Sequence, residues 1–138
     1  MKPNLYLFFK GDCLEAMTFY ADALGGTVED VFRNKDAAPE DRMPGSDDLV
    51  MNMSLRIGDA LMMGSDNSDD MYEAPQGFRV QIEAPSLADF ERLHNALAQG
   101  AKRVDMPPGE TFWAERFTMF TDRFGTPWML NYTGNKAP

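Results

Sequence analysis

The strongest constraint on this chain is that it repeats itself. Shifted from Ala16 to Phe90, the sequence also brings Phe19 onto Leu93, Ala23 onto Leu97 and Gly26 onto Gly100. Shifted from Arg56 to Arg123, RIGDALMM meets RFGTPWML, so that Gly58 matches Gly125 and Met62 matches Met129. A repeat of this length points to two copies of one supersecondary unit.

Each copy reads as strand–helix–strand–strand–strand. In the first, residues 4–9 are aromatic and branched and form a strand. Asp12 with Glu15 three positions on has the form of a capping box, and Leu14, Met17, Thr18, Ala21 and Leu24 share one helical face. Gly25-Gly26 stops that helix. Strands follow at 27–33, 49–57 and 60–63, with a polar loop at 34–48 and a hairpin turn at Gly58-Asp59. The acidic stretch 64–76 divides the halves. In the second copy, a strand at 78–83 precedes a helix opened by Ser86 and Asp89, with Leu87, Phe90, Leu93 and Leu97 inward and Gly100 at its end. A strand at 101–105, a Pro-rich loop at 106–111 and a hairpin of 117–121 with 127–132 complete it.

This pattern predicts an α+β fold, one domain over 1–138, with module one at about 1–66 and module two at about 77–134. One helix covers one sheet face and leaves the other open. Two curved sheets set together are then expected to enclose a cleft, the default place for a small molecule.

Composition narrows the function. Net charge is −9, which opposes phosphate backbones, so neither nucleic acid nor an anionic membrane is expected as a partner. No run approaches the roughly 20 apolar residues of a membrane span. The apolar run near the N-terminus is too short for a signal-peptide core and reads as the first strand. The one cysteine, Cys13, has no disulfide partner in the chain, and the expected compartment is the cytoplasm. With one histidine, His94, a Cys/His zinc site is excluded.

Three segments carry a family resemblance: LYLFFKGDCLEAMTFYADALGG, LRIGDALMMGSD and FWAERFTMFTDRFGTPWMLNY. They resemble the vicinal oxygen chelate superfamily of glyoxalases, bleomycin-resistance proteins and dioxygenases, and most closely its PhnB-like branch. The final segment is the most specific, through Phe112, Trp113, Arg116, Asp122, Phe124, Gly125 and Trp128; Ala114 stands where the branch has Gly. Some members of this branch are labelled demethylubiquinone methyltransferases, but no Gly-rich loop follows a strand here to hold a nucleotide-type cofactor.

The resemblance implies where metal ligands would stand in metal-using relatives: near Leu5 and Met62 in module one, and near Phe78 or Arg79 and Met129 in module two. None is an oxygen or imidazole ligand suited to a divalent ion. The expectation is therefore a metal-free, cofactor-free protein binding a small, partly apolar molecule between its sheets. Leu7, Phe9, Asn52, Met62, Trp113, Arg116 and Met129 are the expected lining. Trp113 and Arg116 can clamp a flat or anionic group, and the methionines adapt to irregular shapes. An alternative is a lyase or isomerase with Glu115 as general base. Another is a non-catalytic structural or interaction protein. Relatives commonly pair, so a homodimer is also expected.

Overall fold

In the computed structural model, which describes residues 1–136, the chain divides after Glu73 into two units, each a βαβββ module. The first holds β1 (Leu5–Phe9), α1 (Cys13–Leu24), β2 (Thr27–Arg33), β3 (Val50–Ile57) and β4 (Ala60–Asp66). Its sheet runs β1-β4-β3-β2, with β1 parallel to β4 and the other pairs antiparallel.

The helix α1 covers one face. A Cβ on Gly64 would lie 3.3 Å from the Cys13 sulfur and 3.5 Å from the Met17 methyl, so the helix presses where the strand has no side chain. Leu7 and Met53 are register partners of Gly64, while Leu5 and Leu55 are partners of Met62. Side chains alternate along a strand. Leu5, Leu7, Phe9, Met53, Leu55 and Met62 therefore share the helix-covered face, and all but Leu5 are buried.

The start of α1 departs from the expected capping box. Asp12 makes no side-chain cap. The cap comes from Asp66 at the end of β4, whose Oδ1 accepts Gly11 N–H at 2.9 Å and Cys13 N–H at 3.0 Å, while its Oδ2 accepts Val50 N–H at 2.9 Å. One buried carboxylate thus ties α1, β3 and β4 together. For the same reason β4 runs to Asp66 rather than stopping at Met63: it stays paired with β1 as far as Phe9. The 34–48 loop holds two single 3-10 turns, Asn34–Asp36 and Pro39–Asp41, and buried Asn34 ties it together. Its amide donates to the carbonyls of Met43 (2.9 Å) and Ser46 (3.2 Å) and accepts Met43 N–H (2.9 Å).

The second unit holds β5 (Val80–Glu83), α2 (Leu87–Leu97), β6 (Arg103–Gly109), β7 (Arg116–Thr121) and β8 (Pro127–Tyr132), ordered β5-β8-β7-β6. Here the expected cap forms: Ser86 Oγ accepts Asp89 N–H at 3.0 Å. Phe90, Leu93 and Leu97 are buried beneath α2, each contributing about 1.5–3 kcal/mol by leaving water. Trp128 and Leu130 of β8 and Phe120 of β7 share the covered face and are also buried. His94 lies with them, its ring 6.0 Å from Phe120 edge-on and 6.5 Å from Phe90 stacked. Met106, Pro107 and Pro108 belong to β6 rather than to a loop. That strand is at the sheet edge, where prolines without an N–H cost no pairing.

The chain is thus α+β, built from two βαβββ modules. Among the described residues no helix is long and apolar enough to cross a membrane.

Candidate functional site

Each helix leaves one face of its sheet uncovered, and strand parity decides what stands there. On the helix-free face of module one are Tyr6, Phe8, Asn52, Ser54, Met63 and Ser65, as the register pairs Tyr6 with Met63, Phe8 with Ser65 and Ser54 with Met63. Tyr6 and Phe8 rings lie 5.0 Å apart, and the Tyr6 hydroxyl donates to Asn52 Oδ1 at 3.2 Å. Phe8 keeps 47% of its surface exposed, large for an aromatic ring.

Module two presents two cross-strand rows on its helix-free face: Glu83, Asn131 and Phe117, then Gln81, Met129 and Met119. Asn131 is the hub of the first. Its amide nitrogen donates to Glu83 Oε1 at 2.8 Å and to Thr133 Oγ1 at 3.0 Å, and its oxygen accepts the Trp113 indole N–H at 3.1 Å. Glu83 Oε2 accepts from the N–H (3.0 Å) and hydroxyl (2.9 Å) of Thr133. Burial pushes the Glu83 carboxyl up, but the bonds from Asn131 and Thr133 outweigh it and hold the group below the ordinary carboxylate range. It is therefore ionised at neutral pH. Trp113 stands edge-on to Phe117 at 5.1 Å and to Phe112 at 4.8 Å.

The expected lining residues divide by parity. Asn52, Trp113 and Met129 stand on helix-free faces. Leu7, Phe9 and Met62 are core beneath α1, with Leu7 and Phe9 each 2% exposed. Arg116 is separated from Trp113: it stands on the α2 side of β7, where its Nε donates to Glu91 at 3.1 Å. Glu115 is tied to the C-terminal turn, accepting Asn135 N–H at 2.6 Å and packing over Gly134. A general base needs reach to a substrate proton, and Glu115 spends one carboxylate oxygen on this turn.

The pairing of Met62 with Met129 also changes. Met62 faces α1, whereas Met129 faces away from α2. The hairpin turn holds two residues between Ile57 and Ala60 but five between Thr121 and Pro127. That odd difference means no single shift keeps both arms of the hairpin on matching faces. Met63, not Met62, is the module-one counterpart on the helix-free face. By the same parity, Leu5 is on the covered face, and Phe78 and Arg79 precede β5. Arg79 is occupied by Asp105 at 2.6 Å and by two strand carbonyls. Glu83 and Asn131 escaped the sequence reading. Both are polar residues within strands, a signal that becomes specific only once the register is known.

Cys13 does not join either face. Burial first, then the carboxylates of Asp66 and Asp12, push its thiol far above the ordinary range. A thiol-specific disulfide reagent is expected to leave native protein unmodified at pH 8 and to label it on unfolding. Rapid labelling without denaturant would contradict this burial.

Comparisons with known proteins agree with this architecture. Residues 2–130 match the model of the Glyoxalase/Bleomycin resistance protein/Dioxygenase superfamily. Protein YjdN of Escherichia coli (strain K12) is 29% identical over 95% of each chain. Protein PA1353 from Pseudomonas aeruginosa is 42% identical, with a TM-score of 0.85 over 96% of this chain and 97% of that one. A PhnB protein from Bacillus cereus shares the fold at 22% identity, with a TM-score of 0.75 over 96% and 99%. A βαβββ duplication matched over nearly its whole length places the chain in the Glyoxalase/Bleomycin resistance protein/Dioxygenase superfamily.

Proposed function

We propose that this chain is a PhnB-like, metal-independent member of the superfamily that binds a small, partly apolar molecule on the helix-free faces of its sheets. The observation that carries the reading is the row Glu83–Asn131–Phe117, with the Trp113 indole hydrogen-bonded over it. It joins a fixed polar network to the half-exposed indole of Trp113, with Phe117 and Asn131 buried beneath, and a few fixed polar groups beside aromatic surface are the usual make-up of a small-molecule site. Metal independence is supported by the donor chemistry. The strand positions facing outward carry Tyr6, Phe8, Met63 and Ser65 in one module and Gln81, Glu83, Met129 and Asn131 in the other. Among the described residues no three His, Cys, Asp or Glu side chains converge as a metal site. One carboxylate beside thioethers and amides does not fit a divalent ion.

A thermal-shift screen of a small-molecule collection, run with a chelator present, tests the reading. Stabilising compounds are expected for the unaltered protein and are expected to lose their effect in Trp113→Ala. A requirement for added metal, or equal shifts in both proteins, would sink it. We also propose that the protein works as a cytoplasmic homodimer, since the edge strands β2 and β6 expose Phe32 and Val104. Sedimentation showing only monomer at micromolar concentration would refute the pairing.

A further inference from the structure

Resting on the ligand-binding reading above, we propose that the module-two face selects a small organic cation carrying an aromatic ring. The charge of the ligand follows from Glu83. Its hydrogen-bond partners are all neutral, being the Asn131 amide and the Thr133 N–H and hydroxyl. Among the described residues no ion pair involves it. Arg79, just before β5, and Arg103 of β6 are both held by Asp105 and not by Glu83. Glu83 is thus a fixed negative charge with its geometry set by the protein and its compensation left to come from outside.

The aromatic part follows from Trp113. Its N–H is spent on Asn131, which pins the indole beside the Glu83 row and leaves 40% of the residue exposed. Asn131 bridges the two groups, donating to the carboxylate and accepting from the indole, so both are fixed on the same face with the buried amide between them. An indole face attracts cations through its quadrupole, and a neighbouring carboxylate acts in the same direction. Met129 and Met119 in the adjoining row offer a polarisable floor for a ring. An anionic ligand meets repulsion from Glu83, and a neutral one leaves that charge unpaired.

The test uses the full chain and three probes: benzyltrimethylammonium, benzyl alcohol and benzenesulfonate. The readout is the pair of indole N–H resonances in proton–nitrogen NMR spectra. The chain has two Trp residues, and fully buried Trp128 serves as the internal control. Benzyltrimethylammonium is expected to shift the Trp113 resonance saturably while leaving Trp128 in place. Benzyl alcohol is expected to bind about tenfold more weakly, the scale of one cation–π contact, and benzenesulfonate not at all. Glu83→Gln, checked for an unchanged Trp128 resonance, is expected to erase the preference for the cation. If benzyl alcohol binds as tightly as the cation, or if Glu83→Gln keeps the preference, the cation assignment fails while the ligand face stands. If no probe moves Trp113, the cation assignment fails, and the thermal-shift screen decides the ligand-binding reading separately.

Discussion

Asp122→Ala is expected to lower stability by about 3–5 kcal/mol and the melting temperature by on the order of 10 °C. Asp122 is fully buried at the turn between β7 and β8. Its Oδ1 accepts the N–H of Phe124 and of Thr126, each at 2.9 Å, and its Oδ2 accepts the Trp128 indole N–H at 2.8 Å. Removing the acceptor strands buried donors, and each such group costs about 1–3 kcal/mol where water does not enter. The loss spreads because Trp128 is itself fully buried under α2 and sits opposite both Val80 and Phe120. Trp128→Phe keeps the ring and deletes one donor, so it is expected to cost less than Asp122→Ala. Denaturant unfolding measures both. A melting temperature for Asp122→Ala within about 2 °C of the parent would show that the turn does not depend on this carboxylate.

Asp66→Ala is expected to have a comparable effect in module one. The residue is 2% exposed and is the acceptor for Gly11, Cys13 and Val50 N–H groups. Two of these donors open α1, where the helix has no cap of its own. A helix start without an acceptor leaves its first N–H groups unsatisfied. The expected loss is again about 3–5 kcal/mol. Amide exchange localises it: Gly11, Cys13 and Val50 amides should exchange faster in Asp66→Ala, with Asp66→Asn intermediate because its oxygen still accepts. Uniform exchange across the module, or no change at these three amides, would contradict the proposed tie. Asp12→Ala serves as the contrast. It removes the residue that local spacing nominates as the cap, yet it is expected to leave α1 nearly unaffected.

The two aspartates show how far local pattern reaches. Ser86 and Asp89 form the predicted cap because donor and acceptor lie within one turn. Asp12 and Glu15 have the same spacing, but Asp66 supplies a better placed acceptor from another strand. The prolines of β6 mislead in a similar way. Pro107 and Pro108 read as loop, and only a place at the sheet edge makes them tolerable in a strand. Of the residues the sequence nominates as lining, Asn52, Trp113 and Met129 stand on helix-free faces, whereas Leu7, Phe9, Met62 and Arg116 stand on the helix-covered sides.

What the sequence determined by itself is the module: its periodicities, its glycine stops and its duplication are local or repeated signals, and each shows in the order of elements. What tertiary structure alone decided is which side of each strand faces the helix. Parity along a strand has a period of two, so a change of one residue in register moves every side chain to the other face. Register here was set by pairing and by turns of two and five residues. That is why Met62 went to the core, Met129 to the helix-free face, and why Glu83 and Asn131 emerged beside Trp113 only once the strands were paired.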